Sequence, residues 1–163
     1  FINGYHKNPT YLESLANSIS EDLEKHGMPQ KMVFSYHGMP KQFLDNGDPY
    51  HCLCQQTTRL VVEKLGLDKD KVITTFQSRF GKAEWLKPYT DATLESLPSE
   101  GIKDVAIISP AFSADCLETL EELEGENREI FEQAGGEKYR YIAALNDRDD
   151  HINALFEVLK PNL

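Results

Sequence analysis

The sequence predicts an α/β fold, a three-layer sandwich in which a mostly parallel sheet of roughly four strands lies between helices. Three observations predict it. Short apolar runs of strand length recur along the 163 residues. Stretches with apolar residues at helical spacing separate them. The connections are short, and strands that alternate with helices in this way pair in parallel through crossovers.

The elements run in order. Asn8-Pro9 opens a helix with a capping side chain and a proline suited to the first helical position. Leu12, Leu15, Ala16, Ile19 and Leu23 continue at helical spacing until Gly27 ends it. Met32-Val33-Phe34, bounded by Pro29 and Gly38, reads as a buried strand. NGDPY at 46–50 is turn chemistry before a second helix, which carries Leu53, Leu60, Val61 and Leu65 and stops at Gly66. Residues 72–76 form the next strand. The aromatic and basic loop QSRFGKAEWLKPYTD then leads to a short helix at 91–97. A strand at 105–109 runs into SADCLETLEELE, the start of an acidic helix ended by Gly135-Gly136. A strand at 139–143 and a helix at 150–159 complete the chain.

A chain of this length buries one good core, so a single domain spanning 1–163 is expected. It opens on Phe1, almost inside a strand, and reads as a piece of something longer. A net charge of −10 argues against nucleic acid and against an anionic membrane surface, whereas an acidic cleft concentrates cations. No apolar run approaches the ~20 residues of a membrane helix, and nothing reads as a signal peptide. Cys52, Cys54 and Cys116 fit neither a zinc ribbon nor a disulfide framework, which points to reduced thiols in the cytoplasm. Both glycine fingerprints of nucleotide binding, GxGxxG and GxxxxGK[ST], are absent.

In such a sheet ligands bind beyond the carboxyl ends of the strands, and three segments place unusual residues there. His37 sits just past the first strand, where an imidazole serves as ligand, proton acceptor or simple turn hydrogen bonder. Asp115, Glu118, Glu122, Glu126 and Glu129 share one arc of a helical projection, opposite Cys116, Leu120, Leu123, Ile130 and Phe131 on the expected core face. Asp115 and Glu118 resemble a capping box, which accounts for one or two acids. Glu122 to Glu129 read equally as an exposed polar face, but the like-charged pairs Glu118–Glu122 and Glu122–Glu126 cost a few tenths of a kcal/mol each and suit a divalent cation or a proton path. One imidazole and one carboxylate make a weak, open metal site, better for passing a metal on than for storing it. The third segment, with Ser78, Arg79, Phe80, Lys82, Trp85, Lys87 and Tyr89, suits a flat anionic ligand or a structural loop.

Together these segments resemble the C-terminal half of the ferrochelatase family. The likeness rests on SYHGMP around His37, GDPY at 47–50, QSRFG followed by Trp85-Leu86 and Pro88, AFSADCLETLEEL, and ALN at 144–146. The resemblance implies a chelatase-like, Rossmann-type lobe of a two-lobed enzyme that inserts Fe²⁺ into protoporphyrin IX, the last step of haem biosynthesis. It implies that His37 and Glu118 face each other across the porphyrin, and that Asp115, Glu118 and Glu122 line a route for iron or protons. It further implies that Ser78, Arg79 and Trp85 lie near the macrocycle and its propionates, and that an N-terminal lobe is missing here, leaving this fragment inactive alone. Many relatives carry histidine where this chain has Cys116, a change expected to be tolerated. No cysteine follows Cys116, so no iron–sulfur cluster of the C-terminal type and no resident cofactor are expected. Alternative functions are a chelatase for coproporphyrin or cobalt, or a non-catalytic lobe that binds metal or an anion.

Overall fold

The structure, a computed structural model, describes residues 2 and 4–163. At its centre β1 (Lys31–His37) is buried continuously from Met32 to Tyr36, the pattern of a strand covered on both faces. β2 (Val72–Gln77) flanks it on one side and β3 (Asp104–Ile108) on the other, with β4 (Lys138–Ile142) beyond β3. Every pairing is parallel, as the alternation predicts.

Two cores arise from the pleat. Met32, Phe34 and Tyr36 point to one face, where they pack with Leu12, Leu15 and Ile19 of α1 (Pro9–His26). Cys54, Val61 and Val62 of α3 (Tyr50–Leu65) and Ala154 of α7 (Asp149–Leu159) complete that layer. Val33, Val105 and Ile107 point to the other face, against Leu94 of α4 (Thr90–Ser96) and Phe131 of α6 (Asn127–Gln133). Fully burying side chains such as Phe34 or Phe131 contributes ~1.5–3 kcal/mol each. A short α2 (Lys41–Asp45) joins β1 to α3.

The helix ends match their chemistry. The Asn8 side chain accepts from the Thr10 and Tyr11 amides, Pro9 takes the first helical position, and Gly27 closes α1 at φ +79°. Gly66 ends α3 in the left-handed conformation.

Three local expectations are corrected. β1 runs three residues beyond Phe34, so His37 ends the strand rather than following it. The acidic stretch is not one helix: α5 (Leu117–Leu120) gives way to a π-helical turn at Glu122–Glu126, and only then does α6 begin. There the Glu126 amide reaches back five residues to the Glu121 carbonyl. An inserted residue rotates the rest of the helix by about 100°, so one projection cannot span it. Leu120, expected in the core, is exposed with Leu117, while Leu123 and Phe131 are wholly buried. Asn127 Nδ2 and the Tyr139 hydroxyl donate to the carbonyls of Glu122 and Leu123, so the interrupted ladder leaves these two acceptors partnered. Finally, the capping box is not Asp115 with Glu118. Cys116, only partly buried, is the cap, and its amide donates to Thr119 Oγ1.

Candidate functional site

The strand ends form a rim, and the register decides what shares it. His37 lies opposite Gln77 in the β1–β2 pair. Both continue the Val33 and Ile73 side of the pleat, the face covered by Leu123 and Phe131. The imidazole and the acidic segment are therefore on the same face of the sheet.

His37 Nδ1 lies 2.7 Å from the Gly38 carbonyl. A carbonyl only accepts, so Nδ1 carries a hydrogen, and in the neutral ring Nε2 then keeps its lone pair. The Tyr50 hydroxyl donates to the His37 carbonyl at 2.8 Å, and the Phe112 ring lies 6.2 Å from the imidazole. Gly38 donates its amide to the Gln77 carbonyl at 2.7 Å. A Cβ at position 38 would sit 2.6 Å from that oxygen and 3.0 Å from Trp85 Cε3, so this close approach requires glycine.

Glu118 opens the first turn of α5. The Cys116 thiol, its own backbone amide and the nearby His37 hold its carboxyl below the usual range, while burial first and the Glu118 carboxylate second push the thiol up. Glu118 thus bonds locally and still lies within the electrostatic reach of His37. Glu122 is differently engaged: its carboxylate accepts from the Ser78 amide and hydroxyl, both at 2.6 Å. Ser78 adopts φ +63°, a left-handed strain for a residue with a Cβ, and this grip maintains it.

Asp115 points elsewhere. Its Oδ1 accepts from the Tyr141 hydroxyl at 2.7 Å, Thr119 Oγ1 at 3.0 Å and the Ala144 amide at 3.2 Å, and its Oδ2 from Asn146 Nδ2 at 2.8 Å. Burial pushes this carboxyl up, but the bonds from Asn146, Tyr141, Ala144 and Thr119 outweigh burial and leave it below the usual range.

Arg79 pairs with Asp91 at 2.7 Å and lies over the Tyr89 ring, 4.1 Å from its centroid. Trp85 is only 5 % exposed, its indole N–H donates to the Phe80 carbonyl, and Phe80 itself is the exposed aromatic, at 75 %. A groove of ≈ 380 Å³ joins Ser78 and Arg79 to Leu117, Glu118, Glu121, Glu122 and Glu126. Four carboxylates against one guanidinium make it attractive to cations. Among the described residues, no three or more His, Cys, Asp or Glu side chains converge as a metal-holding group. Across the sheet a second hollow of ≈ 250 Å³ is walled by Tyr5, Tyr11, Tyr36, Tyr50 and Cys54. The four hydroxyls are already bonded within the protein, so they have little to offer a charged ligand.

The rim thus brings together His37, Glu118, Glu122, Ser78 and Arg79, turns Asp115 toward the end of β4, and packs Trp85 inward. Gln77, which bonds to the acidic segment, is a rim residue that the sequence pattern does not single out. Its only signal is a polar residue closing an apolar strand.

Comparison with known proteins decides the family. The ferrochelatase family model matches residues 1–163. This chain belongs to the ferrochelatase family. It is 64 % identical to "Ferrochelatase 2" of Shewanella oneidensis, over all of this chain and 50 % of that protein. It is 60 % identical to a ferrochelatase of Hydrogenovibrio crunogenus, over 98 % of this chain and 42 % of that protein. A ferrochelatase of Shewanella denitrificans is 58 % identical, over the whole chain and 50 % of its own length. The chain spans about half the length of these curated relatives.

Proposed function

We propose that this chain is the C-terminal lobe of a two-lobed ferrochelatase that inserts Fe²⁺ into protoporphyrin IX, and that residues 1–163 form one domain carrying the histidine and glutamate side of the site. One observation carries the reading: His37, with Nε2 free, and Glu118 share one rim and one face, beside an acidic groove, in a chain of this family. The relatives' greater length supports an N-terminal lobe that completes the porphyrin pocket.

Insertion exchanges two pyrrole protons for one Fe²⁺. His37 Nε2 accepts a proton or steadies the metal, while Glu118 takes up protons or accompanies the cation along the groove. Glu122 joins that route from its seat on Ser78, while Asp115, held at the end of β4, braces the start of the acidic segment. Ser78, Arg79 and Trp85 border the macrocycle and its propionates, the guanidinium pairing with carboxylate. Iron and porphyrin are substrates, and neither a resident cofactor nor an iron–sulfur cluster is assigned to this lobe. A cytoplasmic location agrees with the free cysteines and with the absence, among the described residues, of any helix long and apolar enough to cross a membrane.

The full-length protein should form haem from Fe²⁺ and protoporphyrin IX, followed by absorbance, and His37→Ala should lower kcat by about 10²-fold or more. Retained turnover in that variant would remove His37 from the chemistry. Faster turnover with coproporphyrin or Co²⁺ in the same assay would reassign the substrate.

A further inference from the structure

Gln77 touches both halves of the proposed chemistry. It closes β2 opposite His37, and its side chain is buried, at 2 % exposure. On the histidine side, its backbone carbonyl holds the Gly38 amide, and the Gly38 carbonyl in turn holds His37 Nδ1. Its side-chain oxygen accepts from Ser35 Oγ at 2.8 Å and Ser109 Oγ at 3.2 Å, anchoring it to β1 and to the segment after β3. On the acid side, its amide nitrogen donates to the Glu118 carbonyl at 2.7 Å and lies 3.5 Å from the Glu122 carboxylate.

The orientation of that amide is forced. Flipped, it would set its oxygen against the Glu118 carbonyl and the Glu122 carboxylate, acceptors facing acceptors. A buried side chain that only filled space would be apolar, because burying an amide is costly unless every polar atom finds a partner. Here the partners lie on three separate segments, and one of them is the backbone of Glu118 itself. Next to it, Ser78 keeps its strained backbone to grip Glu122. The end of β2 therefore clamps the acidic segment at two successive residues.

We propose that Gln77 is a positioning residue for the reaction, a buried strut that sets the carboxylate of Glu118 relative to the imidazole of His37. This rests on the chelatase reading above, and the measurements separate the two.

In the full-length protein, Gln77→Met removes both ends of the strut at similar volume. Amide hydrogen exchange over 118–126 should accelerate by about tenfold or more, with β1 and β3 unchanged. For Fe²⁺ insertion, kcat should fall by about 10²-fold with porphyrin KM within about twofold. In a Glu118→Gln background the same change should lower kcat no further, since both then disable one group. Gln77→Asn keeps an amide but falls one methylene short, so it cannot hold Ser35 and the Glu118 carbonyl at once, and should reproduce the kcat loss with the sheet intact; it tests the strut independently if the methionine variant fails to fold. Wild-type exchange over 118–126 in a folded variant overturns the strut whether or not the parent turns over. Equal kcat losses in both backgrounds overturn it as well, since they mark a general structural defect. A parent without metal insertion, but with the expected exchange response, sinks the chelatase reading and leaves Gln77 as the residue that fixes the acidic segment.

Discussion

Asp115 and Glu118 stand three residues apart in one acidic run, yet they belong to different parts of the molecule. Asp115 faces the end of β4 and accepts bonds from four groups, so both of its oxygens are occupied by protein. The Glu118 carboxylate lines the acidic groove, is engaged within its own turn, and lies in electrostatic reach of His37. The contrast teaches that donors, not acid count, separate a carboxylate that builds from one left open to a ligand. A carboxylate ringed by four hydrogen bonds would have to break some of them to take a metal, whereas Glu118 has only local ones to give up.

The largest expected effect tests the open side of this pair. Glu118→Gln in the full-length protein should lower kcat for iron insertion by about 10²-fold or more while the thermal midpoint stays put. An unchanged kcat would erase the distinction. The built side should answer in stability. Asp115→Ala should cost about 2–3 kcal/mol in urea unfolding, because Tyr141 and Asn146 lose a charged acceptor. It should also flatten the acid limb of stability. The Asp115 carboxyl is depressed from an ordinary value of 3.8, so its contribution is fully present above that pH and is lost as pH falls through the lower folded value. Unfolding curves from about pH 5 down to about pH 2, with and without Asp115, measure this directly. If Asp115→Ala instead abolished insertion without loss of stability, the two carboxylates would belong to one function. The smallest effect belongs to a pair on the far lip of the groove. Asp91→Asn should destabilise by less than about 1 kcal/mol, because the Arg79–Asp91 bridge is largely exposed. It should sharpen the comparison by freeing Arg79 and thereby tightening porphyrin binding, read as a lower KM.

Much of the fold was legible because its signals are local. Asn8-Pro9 and Gly27 bracket α1 within its own residues, and the apolar runs mark strands wherever they pair. His37 was legible for the same reason, as an imidazole closing an apolar run. The π-turn was not, because a projection of fixed period has no place for an extra residue, and Leu120 was consequently put on the wrong side. Nor were the partners of Asp115, since Tyr141 and Asn146 lie 26 and 31 positions away and meet it only once β4 is in register. Gln77 needed the same information: nothing in QSRFG says that its amide will cross to Glu118, 41 positions on.

Gly38 carries a further consequence. With the Gln77 carbonyl on one side and the Trp85 ring on the other, there is no room there for even a methyl group. Histidine pedestal, strand end and indole therefore behave as one rigid block, and a lineage can alter any one of the three only by altering its neighbours too. Across related genomes, positions 38, 77 and 85 should drift together or stay still together.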